Sequence, residues 1–143
     1  MVEKTFFMIK PDGVARGLVE EILKRVTNEP GLRIAESREV SVTRQQAESL
    51  YAPHLGKKFY DGLIKFITSG PVVANLVEGE GAISRIRELM GDTDPLAAER
   101  GTIRGDLKEA EVINHDGIIK NLVHGSDSAG AASRELAIFF SRS

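Results

Sequence analysis

Every apolar stretch of this sequence is cut short by a turn signal, and that punctuation limits the chain to brief strands and brief helices. Residues 5–9 are apolar and rich in strand formers, and they stop at Lys10-Pro11-Asp12-Gly13. Leu18, Val19, Ile22, Leu23 and Val26 recur at helical spacing until Asn28-Glu29-Pro30-Gly31 ends the run. Leu32, Ile34, Val40 and Val42 then share one parity of an extended stretch, which predicts a strand with one buried face. Thr43 and Gln46 have capping-box spacing ahead of Ala47, Leu50 and Tyr51, and Pro53 closes that helix. Phe59, Tyr60, Leu63, Ile64 and Ile67 predict a second short helix, stopped by Ser69-Gly70-Pro71.

The rest of the chain repeats the pattern. Residues 72–77 form a compact apolar strand, and Ile83, Ile86, Leu89 and Met90 mark a helix ending at Gly91. Residues 118–123 read as a last strand, and Ala132, Leu136, Phe139 and Phe140 as the stripe of a final helix. Two principal helices cannot cover both faces of a sheet, so they are expected on one face of a mainly antiparallel one. The fold class that follows is α+β: a ferredoxin-like βαββαβ sandwich with a four-stranded antiparallel sheet, plus a helical hairpin and a long irregular loop. No repeat or linker divides the sequence, so residues 1–143 are read as a single domain.

Composition narrows the function classes. Nineteen basic against 21 acidic residues leave a net charge of −2, so no global pull toward nucleic acid or anionic lipid exists. A bound anion must be held by a local cluster. With no cysteine there is no disulfide, thiolate metal site or thiol redox centre. No stretch approaches the ~20 apolar residues of a membrane span, and the N-terminus lacks the pattern of a secretory signal. A cytoplasmic protein with neither membrane nor nucleic acid as its primary partner is the expectation.

Four segments carry chemistry. In Asn121-Leu122-Val123-His124-Gly125-Ser126-Asp127-Ser128 a histidine ends a strand beside a glycine and leads into a helix. An uncharged imidazole there can serve as nucleophile or proton carrier. On the residues alone it is equally an imidazole satisfied by strand-end hydrogen bonds. Lys10, between a strand and a rigid turn, can aim an ammonium at a phosphate or a ribose hydroxyl, or simply be a surface lysine. Arg87 precedes the irregular residues 92–106, Thr93 and Arg104 stand near the two ends of that stretch, and guanidinium forks match phosphate oxygens. Taken singly, each is more readily a solvated loop arginine. Tyr51 and Phe59 are core residues or, for a ring at a cleft edge, a stacking face for a nucleobase. The sequence has neither a Walker A pattern nor a GxGxxG after a strand.

Taken together these segments resemble the nucleoside diphosphate kinases. The likeness runs in order through Thr5-Phe6-Phe7-Met8-Ile9-Lys10-Pro11-Asp12-Gly13-Val14, Arg16-Gly17-Leu18, Ser69-Gly70-Pro71-Val72-Val73-Ala74, Gly101-Thr102-Ile103-Arg104-Gly105-Asp106 and residues 121–128. The resemblance implies ping-pong transfer of a γ-phosphate from a nucleoside triphosphate to a diphosphate through a phosphohistidine on His124. It implies that Lys10 and Asn121 bind the ribose hydroxyls and that Lys10 also approaches the phosphates. Arg87 and Thr93 would hold the β-phosphate, and Tyr51 and Arg104 would meet the transferred group. Phe59 would stack on the base, with broad base tolerance, and Glu135 would orient the imidazole. Mg²⁺ would arrive on the nucleotide phosphates rather than in a protein metal site, and the protein would be a homo-oligomer, a hexamer or a tetramer.

One departure is evident. Between Asp106 and Asn121 the chain carries several residues more than the family pattern, around 108–117. His115-Asp116-Gly117 between apolar pairs predicts a hairpin extension with His115 exposed at its turn. That insertion obscures which residue makes the family's second apolar contact to the base. Two rival readings are a nucleotide-binding module without catalysis and a single-stranded nucleic-acid binder on the same sheet type.

Overall fold

The computed structural model describes residues 2–140. Four antiparallel strands, β1 (Val2–Ile9), β2 (Arg33–Val40), β3 (Val72–Glu80) and β4 (Val123–Gly125), stand in the order β2-β3-β1-β4. That is the order of a ferredoxin-like sheet, as the α+β reading requires. Helices α1 (Pro11–Ala15) and α2 (Val19–Thr27) follow β1. Helices α3 (Arg44–Leu50) and α4 (Tyr60–Ile67) separate β2 from β3. Then α5 (Ala82–Met90) and α6 (Ile103–Leu107) precede β4, and α7 (Ala129–Phe140) comes last.

The expectation of helices on one face describes only α2 and α5. Their Ile22, Val26, Ala82, Ile86 and Met90 pack with Phe7, Ile9, Val73 and Val77. The opposite face carries a second core, in which α3, α4 and α7 bring Ala47, Leu50, Ile64, Ile67 and Phe139 against Phe6, Met8, Val72 and Ala74. The signal for two-sided burial was β1 itself. Phe6-Phe7-Met8-Ile9 is apolar at both parities, as a strand covered on both faces must be.

Strand β2 corrects a second expectation. Ile34 pairs with Val77 and Glu36 with Leu76, so Ala35 is an extra residue in a β-bulge. A bulge reverses which parity faces which side. Leu32 and Ile34 therefore join the α2/α5 core, while Val40 and Val42 join the other, although all four share one parity in the sequence.

The last strand is also shorter than the expected 118–123. Residues 118–120 turn back on 112–114 instead: Lys120 N–H donates to Val112 O, Asn114 N–H to Ile118 O, and Ile113 bridges Ile119. Only Val123–Gly125 joins the main sheet, beside Phe7–Ile9. The hairpin at His115-Asp116-Gly117 is thus present, and it consumes the apolar pair that looked like strand. The Thr43–Gln46 capping box forms in both directions at 3.0 Å.

Candidate active site

Two turns at the same end of the sheet hold each other in place. Lys10 N–H donates to Leu122 O at 2.8 Å, and Leu122 N–H donates to Asp12 Oδ2 at 3.0 Å. Leu122 is fully buried and adopts φ 71°, a left-handed conformation that costs a non-glycine residue of order 1 kcal/mol. Arg104 completes the clamp around it. Its Nε donates to Asn121 O at 3.1 Å, Nη2 to Val123 O at 2.7 Å and Nη1 to Gly91 O at 3.0 Å. Three of the five guanidinium N–H groups are spent on carbonyls, and two remain for a ligand.

That clamp delivers His124 on β4, opposite Met8 and with its ring 5.9 Å from Phe6. The imidazole Nε2 lies 2.7 Å from Glu135 Oε1, on the second turn of α7. Ser126 Oγ donates to the same oxygen at 2.8 Å, and Arg134 reaches Oε2 at 3.3 Å. Burial pushes the Glu135 carboxyl up. The hydrogen bond and charge of His124, the Ser126 hydroxyl and Arg134 outweigh it and hold the group below the ordinary glutamate value. An ionised acceptor at Nε2 fixes the tautomer with its proton there, so Nδ1 keeps a lone pair. Gly125 lets this strand lie close to α5, since a Cβ on it would stand 2.8 Å from Met90 Cε.

A cavity of about 770 Å³ opens over the imidazole. Lys10, Tyr51, Arg87, Thr93, Arg104 and Asn121 line it with His124 and Glu135. Lys10 Nζ donates to Asn121 Oδ1 at 2.9 Å, and Asn121 Nδ2 donates to Thr93 O at 3.1 Å. Burial lowers the Lys10 ammonium to about 8; Asp12 opposes that shift and Arg104 adds to it. Burial and Arg87 bring Arg104 down to about 10 against the pull of Asp92 and Asp12. Burial, then Glu135 and Asp12, push the Tyr51 phenol well above its usual range, so it stays an O–H donor.

Phe59 does not face that cavity. It lines an adjoining one of about 270 Å³ with Leu63, Gly117, Ile118 and Ile119, and the two cavities share Lys10, Thr93 and Asn121. All nine candidate residues therefore lie along one cleft, charged at the His124 end and apolar at the Phe59 end. His115 is 80% exposed beside Asp116, away from both. Among the described residues no group of three or more metal-ligating side chains is gathered.

Sequence reasoning passed over four residues that line or support this cleft. Asp12 reads as a turn residue, yet its carboxylate holds Leu122. Arg134 and Ser126 flank Glu135. His54 lines both cavities, its imidazole held below the usual value by burial, Lys57 and His124 against Asp127. A histidine three residues after Tyr51, in a short helical turn at Ala52–His54, was the available signal.

A cleft of this kind can hold a polyanion against a nucleophilic nitrogen. The profile of the family described as nucleoside diphosphate kinase matches residues 3–143. The nucleoside diphosphate kinase of Rubrobacter xylanophilus is 50% identical over 139 residues, covering 97% of this chain and 98% of that one. The enzyme of Metallosphaera sedula is 47% identical, covering 97% and 94%. The halophilic nucleoside diphosphate kinase from Halobacterium salinarum, solved with CDP, superposes with a TM-score of 0.88 at 44% identity, over 99% of this chain and 90% of that one. The apo enzyme from Encephalitozoon cuniculi gives 0.87 at 35% identity, over 98% and 90%. The chain belongs to the nucleoside diphosphate kinase family of enzymes.

Proposed function

We propose that this cleft moves a phosphoryl group from a nucleoside triphosphate to a nucleoside diphosphate, with His124 as the covalent carrier. The Nδ1 lone pair attacks the γ-phosphorus, the N–P bond forms, and the bond to the β,γ-bridging oxygen breaks to release the diphosphate. A second diphosphate then attacks the phosphohistidine through a terminal oxygen, the N–P bond breaks, and the imidazole is restored. The Nε2 proton stays on Glu135's side throughout, so the ring carries charge without losing its aim.

Phosphoryl transfer depends on in-line positioning and charge neutralisation. Arg87 and Thr93 suit the β-phosphate, and the two unspent N–H groups of Arg104, with the Tyr51 hydroxyl, suit the transferred group. Lys10 and Asn121 suit the ribose hydroxyls, and Lys10 also stands near the phosphates. Phe59 stacks on the base, and Ile118 with Ile119 offers the facing apolar wall. This recognition leaves the base edge unread and predicts broad base tolerance. The cleft is rich in cations and lacks a cluster of carboxylates, which fits Mg²⁺ held by the nucleotide's own phosphates. When bound it would supply positive charge against those phosphates. The reading also takes the protein as a cytoplasmic homo-oligomer, a hexamer or tetramer, for which sedimentation gives the number.

The observation that carries the reading is the 2.7 Å contact that engages Nε2 and leaves Nδ1 to a cationic cavity. Incubation with γ-labelled ATP tests it. Label that survives base and is lost in acid is expected; a protein that never takes label overturns the mechanism.

A further inference from the structure

The apolar end of the cleft has walls of different origin. One is the Phe59 ring, just ahead of α4. The other is the tip of the inserted hairpin, where Gly117, Ile118 and Ile119 face the same cavity. The hairpin is internally stiff, because Asn114 Oδ1 accepts the N–H groups of Asp116 and Ile118 at 2.9 Å each. Its Gly117 comes up against the Phe59 ring, where an added Cβ would stand 3.1 Å from Cε1, and behind that the hairpin rests on α4. A Cβ built on Gly62 would stand 2.9 Å from Ile118 Cδ1 and 3.0 Å from Cγ1. One turn further along, Lys65 meets the Asp116 carboxylate at 3.3 Å.

Gly62 lies inside the helix and is not among the glycines at positive φ, so its backbone does not need glycine. Glycine in a helix interior is destabilising relative to alanine. What the missing side chain provides is room for Ile118.

We infer that Gly62 is a positioning residue for base binding: the notch it leaves in α4 seats Ile118, and so helps set the gap between the inserted hairpin and Phe59. This rests on the reading that the base stacks on Phe59. Ile118 is 3% exposed, and the open space beside it is the cavity it lines. A methyl at position 62 therefore drives the isoleucine toward the cavity and thins the gap. Thickness is common to all bases, so the gap admits or rejects planar rings without reading their edges. The His124 end does not touch Gly62, and its binding of phosphate is independent of the notch.

The test is Gly62→Ala in the nucleotide exchange assay, with inorganic pyrophosphate as a competitor that has no base. KM for ADP is expected to rise about five- to tenfold, a fraction of one stacked base. The kcat and the pyrophosphate inhibition constant stay put, and thermal stability is equal or higher because alanine favours the helix. Adding Ile118→Val removes the Cδ1 atom and recovers the larger part of the KM loss. An unchanged KM for ADP overturns the inference. So does an equal weakening of pyrophosphate, or a double variant with no recovery. Should Gly62→Ala not fold, Ile118→Ala widens the gap from the other side, and the same rise for ADP alone is required. Phe59→Ala serves as the control on the underlying reading: if it leaves KM for ADP unchanged, base stacking itself fails, whatever Gly62 does.

Discussion

At the His124 end of the cleft Lys10, Arg104, Asn121 and Glu135 are buried, and each is tied by hydrogen bonds to a carbonyl or to a neighbouring side chain. At the other end Phe59 is 46% exposed, and its facing wall belongs to a surface hairpin. The first region is over-determined, with Arg104 alone fastening three carbonyls. The second is held by the packing of Gly117 on Phe59 and of Ile118 on Gly62, with one largely exposed ion pair of a kind that contributes little. The contrast separates two tasks. Positioning phosphorus against nitrogen tolerates little slack, whereas gripping a ring by its face requires only a gap of suitable thickness. Damage at the first end should appear in kcat, and damage at the second in KM.

The largest expected effect is that of His124→Ala. It should abolish exchange and labelling by ATP while the thermal transition stays close to wild type; retained activity would place the nucleophile elsewhere. Arg104→Lys comes next. An ammonium cannot serve three carbonyls in different directions, so stability should fall by about 2 kcal/mol in urea denaturation, with a large loss of kcat. A variant with full stability and reduced kcat would show that the clamp is dispensable, and would erase the contrast.

The pH dependence is a smaller effect. Lys10 is charged below about 8 and neutral above it. Therefore kcat/KM for nucleotide should decline as pH rises through that value, by at most about tenfold per unit. Arg87 and Arg104 keep the decline partial, and a flat profile from about pH 7 to about 9.5 would remove Lys10 from substrate binding. Phe59→Ala is the mildest. It should raise KM by about five- to tenfold for purine and pyrimidine diphosphates alike and leave kcat nearly unchanged. A drop in kcat larger than the change in KM would mean that the two ends are coupled rather than separate.

What the sequence made legible follows the same division. The His124 end is built from short contiguous motifs at element ends, such as Lys10-Pro11-Asp12-Gly13 and the run from Asn121, and these can be read as strings. The partner bonds cannot, because Asp12 and Leu122 are 110 positions apart and a carboxylate in a turn gives no sign of its acceptor role. Among the strands, β1 and β3 declared themselves by continuous apolar runs. The bulge at Ala35 left no trace in a parity pattern that it reverses. Residues 118–120 have strand composition but pair locally, because a tight turn lies nearer than the sheet edge. The wall facing Phe59 was unreadable for a related reason: Ile118 packs where Gly62, in a different element, has no side chain.

Lys10 leans on Asn121 and Asp12 on Leu122, so each half of the clamp waits for a stretch of chain made more than a hundred residues later. A polypeptide still emerging from the ribosome lacks His124 and the partners of Lys10 and Asp12 until that stretch is made. Catalysis switches on only when the tail returns to the head. Premature termination before the histidine segment thus yields a fragment that is inert rather than a crippled kinase.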